Sequence, residues 1–208
     1  MLLQVRIKII TKLNILRLDN LIMIIEKCEI EGLLVIKPRI HEDDRGYFFE
    51  SYNQATFKEK TGIDVNFIQD NESKSGYGTL RGIHFQRPRF AQAKLVRVTS
   101  GKVLDVAVDL RSSSPTFGQW KSIVLSEENK TQLFIPRGFG HGFVVLSDSA
   151  VFSYKVDNPY SAESDGGILW NDDNLNIDWK IPNSDIILSN KDKYLQGISE
   201  FSKKAIFK

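Results

Sequence analysis

The sequence of 208 residues lacks the features that mark membrane, secreted and nucleic-acid-binding proteins. No apolar run approaches the roughly 20 residues that a membrane-spanning helix needs, so we expect no membrane partner. The single cysteine, Cys28, excludes an intramolecular disulfide framework and is typical of a protein that works in the reducing cytoplasm. A formal net charge of +2 is too small to indicate a nucleic-acid partner. No glycine-rich turn between a strand and a helix suggests a dinucleotide-binding or phosphate-loop fold.

Residues 1–22 differ in character from the rest of the chain. They mix aliphatic and basic residues and contain no glycine or proline. A secretory signal peptide needs an unbroken apolar stretch and a cleavage site of small residues, and neither is present. A basic amphipathic helix at a membrane surface is one interpretation. We instead expect an extension outside the fold, with Met23 as the functional start and residues 23–208 as a single domain.

The rest of the chain shows the short alternating patterns that predict β-strands. Strands are expected at residues 32–37, 47–52, 79–86, 93–111 in two parts, 120–125 and 150–156, and residues 134–146 are expected to be a glycine-punctuated turn that leads into a buried strand. The two parts of 93–111 are expected to form a hairpin, and 150–156 is expected to pair with the strand before it. Many short strands separated by Gly and Pro turns predict an all-β jelly roll.

Three other segments complete this prediction. A short helix is expected at Asn53–Thr61, with Gly62 at its end. The polar stretch Phe67–Ser75 is expected to be a loop closed by glycines. The tail after residue 157 is rich in loops and aromatic residues.

The segment TLRGIHFQ, Thr79–Gln86, carries polar groups that a purely structural strand would not need. Strict alternation would place His84 on one face and Arg81 on the other. Gly82 is where a β-bulge would reset that alternation and turn both side chains toward one cavity. A fixed cation beside an imidazole suits an anionic substrate and a proton transfer. A histidine satisfied within the core is the plainer interpretation of this segment alone.

A metal site is the first alternative for a jelly roll that contains histidines. The His-x-His pair common in such sites is here His84-Phe85-Gln86, which removes one ligand, and His41 lies in a polar turn typical of the surface. Two imidazoles, His84 and His141, fall short of a typical site without a paired carboxylate. We therefore expect no metal.

Several other residues have both an ordinary and a functional interpretation. Tyr154 shares a predicted strand face with apolar residues, so its phenol belongs either to the core or to a site. Lys94 also lies on an apolar strand face, which is unusual unless its stem merely covers that face. Lys191 and Asp192, in a late loop, would ordinarily be solvated charges.

Seven stretches, in the same order, resemble the dTDP-4-dehydrorhamnose 3,5-epimerase family, the cupin-fold enzymes of deoxysugar biosynthesis. The resemblance covers residues 26–199, and the stretches are DDRGYFFE (43–50), QDNESKS (69–75), LRGIHFQ (80–86), the lysine of AKLVRV (Lys94), FIPRGFGHGF (134–143), YKVDNPYSAESDGGILWND (154–172) and LSNKD (188–192). It implies a cupin-type double-stranded β-helix, or jelly roll, that needs no cofactor. It also implies a homodimer in which strands of one subunit complete the sheet and pocket of the other, with Gly32–Glu50 as the stretch that crosses.

The resemblance also implies roles for individual residues. His84 matches the general base, Asp192 the carboxylate that orients it, and Tyr154 the general acid on the other side of the sugar ring. Lys94 matches the lysine beside the 4-keto oxygen, and His141 a histidine that lines the pocket. The implied substrate-binding set is completed by Arg45, Phe48, Glu50, Gln69, Asn71, Arg81, Asp165 and Lys191. Asp165 stands where the family often has the longer glutamate, so a looser ligand contact is expected there.

The implied reaction inverts C3 and C5 of dTDP-4-dehydro-6-deoxy-D-glucose and gives dTDP-4-dehydro-L-rhamnose. The 4-keto group acidifies the hydrogens on both neighbouring carbons, so an imidazole base, an enolate stabilised by a cation and an opposing acid suffice. Three alternatives remain at this point. They are an epimerase that acts at one carbon or on another nucleotide sugar, a metal-dependent cupin oxygenase, and an inactive sugar-nucleotide binding module.

Overall fold

The computed structural model describes residues 23–207, so the extension predicted for residues 1–22 lies outside the described residues. Within this range the strands are β1 (Met23–Lys27), β2 (Leu34–Pro38), β3 (His41–Asp43), β4 (Gly46–Phe48), β5 (Gln69–Gly76), β6 (Leu80–Gln86), β7 (Lys94–Ser100), β8 (Lys102–Asp109), β9 (Trp120–Ser126), β10 (Gln132–Ile135), β11 (Phe139–Val145), β12 (Ser149–Val156) and β13 (Asp165–Gly167). The helices are α1 (Gln54–Thr61) and α2 (Ile198–Ser202), and short 3-10 turns lie at Ala162–Ser164, Asn183–Asp185 and Asp192–Tyr194.

Two large sheets and one small hairpin account for these strands. The first sheet has the order β1-β2-β10-β7-β12-β5, and the second has the order β13-β6-β11-β8-β9. Neighbouring strands are antiparallel throughout both sheets. Strands β3 and β4 pair only with each other among the described strands. The predicted all-β jelly roll is confirmed.

Apolar side chains fill three layers around these sheets. Residues such as Val96, Phe143 and Phe152 fill the space between the two sheets. The tail covers the outer face of the second sheet, where Trp179 and Phe201 pack on residues of β6, β8 and β11. Helix α1 covers the outer face of the first sheet. Strand β8 is therefore buried on both faces, which explains its nearly continuous apolar sequence.

The predicted helix has the ends that the sequence indicated. The side chain of Asn53 accepts a hydrogen bond from the backbone N–H of Thr56, at 3.1 Å, and so caps the first turn. Gly62 ends the helix with φ of +73°, the left-handed conformation that glycine adopts at low cost. Phe57 is the residue that α1 buries against the sheet.

Two expectations about strand pairing and one about a loop were wrong. Strands β7 and β8 form no hairpin, because the chain crosses from one sheet to the other between Ser100 and Lys102. Strand β12 likewise leaves β11 and pairs with β5 and β7. The stretch expected as a loop at Phe67–Ser75 contains β5, an edge strand whose polar side chains are mostly exposed. The alternating pattern locates a strand but does not identify its partner.

The C-terminal tail and the helices also bear on the sequence-based expectations. The tail is indeed rich in loops, interrupted by β13, short 3-10 turns and α2. No helix of residues 23–207 is long and apolar enough to cross a membrane.

Candidate active site

A cavity of about 520 Å³ opens between the two sheets and is closed on one side by the tail. Strands β6 and β11 of the second sheet form one wall, and β5, β7 and β12 of the first sheet form the facing wall. Eight of the predicted site residues line it: Asn71, Arg81, His84, Lys94, His141, Tyr154, Lys191 and Asp192. The structure therefore collects into one place residues that lie up to 121 positions apart in the sequence (71 to 192).

The predicted bulge in β6 turns both Arg81 and His84 into this cavity. His84 lies opposite His141 in the ladder with β11, and Arg81 lies opposite Phe143, so two residues of β6 face one residue of β11. Gly82 has φ of +133°, and a Cβ there would lie 2.4 Å from the Cα of Gly142. The bulge therefore depends on a close approach of two glycines, and the prediction of a bulge at Gly82 is confirmed.

His84 and Asp192 form a hydrogen-bonded pair at the edge of the cavity. The distance from His84 Nε2 to Asp192 Oδ1 is 2.6 Å, and the side chains are 30% and 3% exposed. Burial acts to raise the pKa of the Asp192 carboxyl, but the hydrogen bond and charge of His84, with smaller effects of Ser189 and Lys191, outweigh it and lower the pKa. Asp192 is therefore an anion that fixes the orientation of the imidazole.

Tyr154 and Lys94 lie on the facing wall, on neighbouring strands of the first sheet. Burial raises the pKa of the Tyr154 phenol, and the charge of Arg81 only partly opposes this, so the phenol keeps its proton at neutral pH. Burial lowers the pKa of the Lys94 ammonium to about 8, against the charges of Asp105 and Asp165. The ammonium lies 6.0 Å from the centre of the Tyr154 ring. The wall opposite His84 thus holds a proton donor and a cation.

The floor of the cavity contains a second histidine–aspartate pair that the sequence analysis missed. His141 Nε2 lies 2.9 Å from Asp105 Oδ2, and both side chains are buried. Burial lowers the pKa of His141 despite the charge of Asp105, so this imidazole is neutral at pH 7. The second oxygen of Asp105 is buried without a hydrogen-bond partner. A carboxylate within the apolar run of β8 was the available signal, because such a residue is seldom buried without a partner.

The remaining residues of the first sheet and the tail surround this centre. Arg81 Nε donates to Ser75 Oγ at 3.1 Å, and its guanidinium lines the cavity. Gln69 Nε2 donates to Asn71 Oδ1 at 2.8 Å, which links Gln69 to the cavity wall. Asp165 is not in the lining; it forms an ion pair with Lys191 and accepts a hydrogen bond from Gln86.

Besides Gln69 and Asp165, three more predicted substrate-binding residues do not line the cavity of their own chain, and all three lie on or just after the β3–β4 hairpin. Arg45 occupies the tip of the β3–β4 hairpin, where its side chain is 89% exposed and pairs with Asp43. Phe48, in β4, is 72% exposed. Glu50 accepts a hydrogen bond from Asn53 at 3.1 Å. The hairpin therefore presents a cation and an aromatic ring to the surroundings.

No group of three or more His, Cys, Asp or Glu side chains within residues 23–207 has an arrangement that could hold a metal ion. Both histidines of the cavity instead use Nε2 in a hydrogen bond to a carboxylate. Imidazoles oriented by carboxylates in this way suit proton transfer.

Comparison with known proteins agrees with this geometry. The sequence model of the family described as dTDP-4-dehydrorhamnose 3,5-epimerase matches residues 27–200. A dTDP-4-dehydrorhamnose 3,5-epimerase of Escherichia coli K12 is 53% identical over 174 residues, which cover 84% of this chain and 94% of the relative.

Solved structures give the same result. The crystal structure of dTDP-4-dehydrorhamnose 3,5-epimerase from Elizabethkingia anophelis NUHP1 is similar with a TM-score of 0.83 and 53% identity, covering 86% of this chain and 97% of that one. The dTDP-6-deoxy-D-glucose-3,5-epimerase of Legionella pneumophila, in complex with dTDP-4-keto-L-rhamnose, has a TM-score of 0.86 and 44% identity. That alignment covers 89% of this chain and 98% of the Legionella chain.

The jelly roll and the His–Asp, tyrosine and lysine groups in its cavity define a cupin-fold isomerase of the carbohydrate-epimerase class. The family model covers most of the chain and the relatives are about half identical to it, so the particular family within this class can be named. The chain belongs to the dTDP-4-dehydrorhamnose 3,5-epimerase family.

Proposed function

We propose that His84, Asp192 and Tyr154 carry out the reaction of this family on a nucleotide sugar bound in the cavity. The enzyme inverts C3 and C5 of dTDP-4-dehydro-6-deoxy-D-glucose and gives dTDP-4-dehydro-L-rhamnose. The observation that carries the proposal is the facing arrangement of His84 and Tyr154 on the walls of one cavity, with Asp192 bonded to the imidazole.

The chemistry follows from what each group can give or take. His84 removes the hydrogen on C3 or C5 as a proton, the electron pair of the broken C–H bond forms a double bond to C4, and the π pair of the C4 carbonyl moves to O4 to give an enolate. The Lys94 ammonium stabilises the charge on O4. Neutral His141, with its Nε2–H directed to Asp105, is left with an acceptor nitrogen and therefore accepts a hydrogen bond rather than supplying a charge.

Inversion requires the new proton to arrive from the opposite face of the ring. Tyr154 keeps its proton at neutral pH and lies on the opposite wall, so it donates to the carbon as the enolate collapses. The imidazolium then loses its proton and the phenolate regains one through solvent, which returns the enzyme to its starting state. Arg81, Asn71 and Lys191, together with Gln69 behind Asn71, are proposed to hold the nucleotide and its diphosphate, with Arg81 as the planar donor that phosphate oxygens favour.

Reaction in D₂O tests this function and separates it from the closest alternative. Wild-type enzyme is incubated with dTDP-4-dehydro-6-deoxy-D-glucose, and deuterium in the sugar is located by NMR. A 3,5-epimerase incorporates deuterium at both C3 and C5. Label at a single carbon would identify an epimerase of one centre, and no label would contradict proton transfer altogether.

We also propose a homodimer in which the β3–β4 hairpin completes the cavity of the partner subunit. Arg45 and Phe48 suit a diphosphate and an aromatic base, but they are exposed on the hairpin and away from the cavity of their own chain. Glu50 follows the same hairpin. A two-fold dimer would supply these residues to both sites at once.

Subunit mixing tests the dimer directly. The Arg45→Ala and His84→Ala chains are each assayed alone and after refolding together. If Arg45 serves the partner subunit, a mixed dimer contains one intact site, and activity returns to about a quarter of the wild-type value because half the dimers are mixed. Two inactive chains that remain inactive after mixing would place Arg45 in the site of its own chain.

We also propose the boundaries of the folded domain and the cellular compartment of the protein. Residues 23–208 are proposed to form a single domain. In support, β1 begins at Met23 and pairs with β2, and the family model matches residues 27–200. A cytoplasmic location is proposed because the one cysteine, Cys28, is unpaired.

A further inference from the structure

We infer that Gly78 is a positioning residue for catalysis: it anchors the segment that presents the Asp192 carboxylate to His84. This segment, residues 183–192, is called the tail strap below. It runs from the 3-10 turn Asn183–Asp185 to Asp192 and forms one side of the cavity. The inference rests on the roles proposed above for His84 and Asp192.

The tail strap is hydrogen-bonded to the start of β6, the strand that carries His84. The backbone N–H of Leu80 donates to the carbonyl of Ile187 at 2.9 Å, and the N–H of Ile187 donates to the carbonyl of Gly78 at 2.9 Å. Thr79 and Ile187 thus form a parallel β-bridge. The N–H of Gly78 donates to the carbonyl of Val145 in β11 at 3.1 Å, so the anchor is also hydrogen-bonded to the second sheet.

The anchor leaves no room for a side chain at position 78. Gly78 has φ of +74°, and a Cβ there would lie 2.1 Å from the backbone oxygen of Asp185 and 3.2 Å from its carbonyl carbon. Both atoms are backbone of the tail strap, so a clash is relieved only by moving the strap. Tyr77 strengthens the same contact, because its hydroxyl donates to Asp185 Oδ2 at 3.0 Å.

A movement at the anchor would pass along the tail strap to the carboxylate. Only five positions separate Ile187 from Asp192, and Leu188 between them packs against the core under the tail. The backbone N–H of Asp192 donates to Ser189 Oγ at 3.2 Å, which ties the carboxylate to the strap. The hydrogen bond of 2.6 Å to His84 leaves little tolerance for a shift, since such bonds weaken quickly with distance. Gly78 therefore acts on catalysis through Asp192.

The chain contains a matched control for the backbone cost of replacing such a glycine. Gly118 has φ of +77°, close to that of Gly78, and an added Cβ would have no atom within 4 Å. It lies between β8 and β9 and does not line the cavity. Gly118→Ala therefore has the free-energy cost of a left-handed backbone conformation but displaces no neighbouring segment.

A double-mutant cycle tests the inference, with kcat measured as deuterium incorporation at saturating substrate. Gly78→Ala is expected to lower kcat by about 10- to 100-fold, the usual effect of losing an orienting partner, with KM changed by less than about threefold. Gly118→Ala is expected to keep kcat within about twofold of wild type. In an Asp192→Asn background, Gly78→Ala is expected to cost less than about twofold more, because the carboxylate that it would displace is already gone.

Three results would contradict either the anchoring role of Gly78 or the roles proposed for His84 and Asp192. Wild-type kcat in Gly78→Ala, or an equal loss with and without Asp192, would overturn the anchoring role. Wild-type kcat in Asp192→Asn would instead contradict the proposed orientation of His84. If Gly78→Ala does not fold, Tyr77→Phe takes its place in the cycle. Its loss of about two- to fivefold should vanish in the Asp192→Asn background, and an unchanged kcat would overturn the inference.

Discussion

Replacement of Lys94 by methionine should make the fold more stable at neutral pH while it removes activity. Burial lowers the pKa of the Lys94 ammonium from an ordinary value of 10.5 to about 8. This lowering of the pKa destabilises the folded state by about 3 kcal/mol at pH 7, since a change of one in the pKa corresponds to about 1.36 kcal/mol. Methionine keeps an apolar stem but carries no charge. We therefore expect the free energy of unfolding of Lys94→Met to exceed that of wild type by up to about 3 kcal/mol.

The size of this gain should depend on pH in the direction that the lowered pKa sets. Below pH 8 the ammonium is charged in both the folded and the unfolded chain, so the full cost of burying the charge is present. Between pH 8 and 10.5 the folded chain binds fewer protons than the unfolded chain, and the stability of the wild type rises with pH relative to the variant. At pH 10 the difference should be less than about 1 kcal/mol.

Urea unfolding of both proteins at pH 7 and pH 10, at one protein concentration, measures these differences. The same variant should lose about 10²- to 10³-fold in deuterium incorporation, because the enolate oxygen loses its cation. A variant that is less stable than wild type at pH 7 would refute the reasoning. A gain of equal size at both pH values would refute it too.

Three other predictions concern the bulge, the cavity floor and the N-terminal residues. Gly82→Ala should lower the free energy of unfolding by about 2 kcal/mol or more in urea titrations, because its Cβ would strike backbone of β11. Gly46→Ala is the control, because Gly46 also has a positive φ, +122°, but an added Cβ there would have no atom within 4 Å. In Asp105→Asn, the decrease of kcat at alkaline pH should begin below pH 8, because the charge of Asp105 raises the pKa of Lys94. A pH–rate profile that matches wild type would show that Asp105 does not control the ionisation of Lys94. A chain that begins at Met23 should keep wild-type kcat, and a large loss would show that residues 1–22 contribute.

The sequence predicted the chemistry of the cavity better than the pairing of its strands. His84, Arg81 and Gly82 lie within eight residues, so local alternation and one glycine were enough to predict the bulge that is observed. The strand partners depend on crossings between sheets, such as the one at Gly101. These are decided by contacts between distant segments, and local propensity carries no information about them. The edge strand β5 was mistaken for a loop because both of its faces are largely polar.

Local sequence patterns did not identify two distant carboxylates of the site: the family resemblance supplied Asp192, and Asp105 was missed. Asp192 lies 108 residues after His84, and the two meet because the tail returns over β6. Asp105 lies outside the seven stretches that resemble the family, and its role depends on the burial of β8 from both sides. Arg45 and Phe48 were predicted for the site but lie outside the cavity of their own chain, which is expected if a partner subunit receives them.

The most direct test of the central claim compares two variants in D₂O with dTDP-4-dehydro-6-deoxy-D-glucose. His84→Ala should incorporate no deuterium at C3 or C5, because the only group assigned to remove those hydrogens is gone. Tyr154→Phe should still exchange while it fails to invert one or both centres, because the base remains. Deuterium entering the sugar at the wild-type rate in His84→Ala would contradict the assignment of the base and the mechanism built on it.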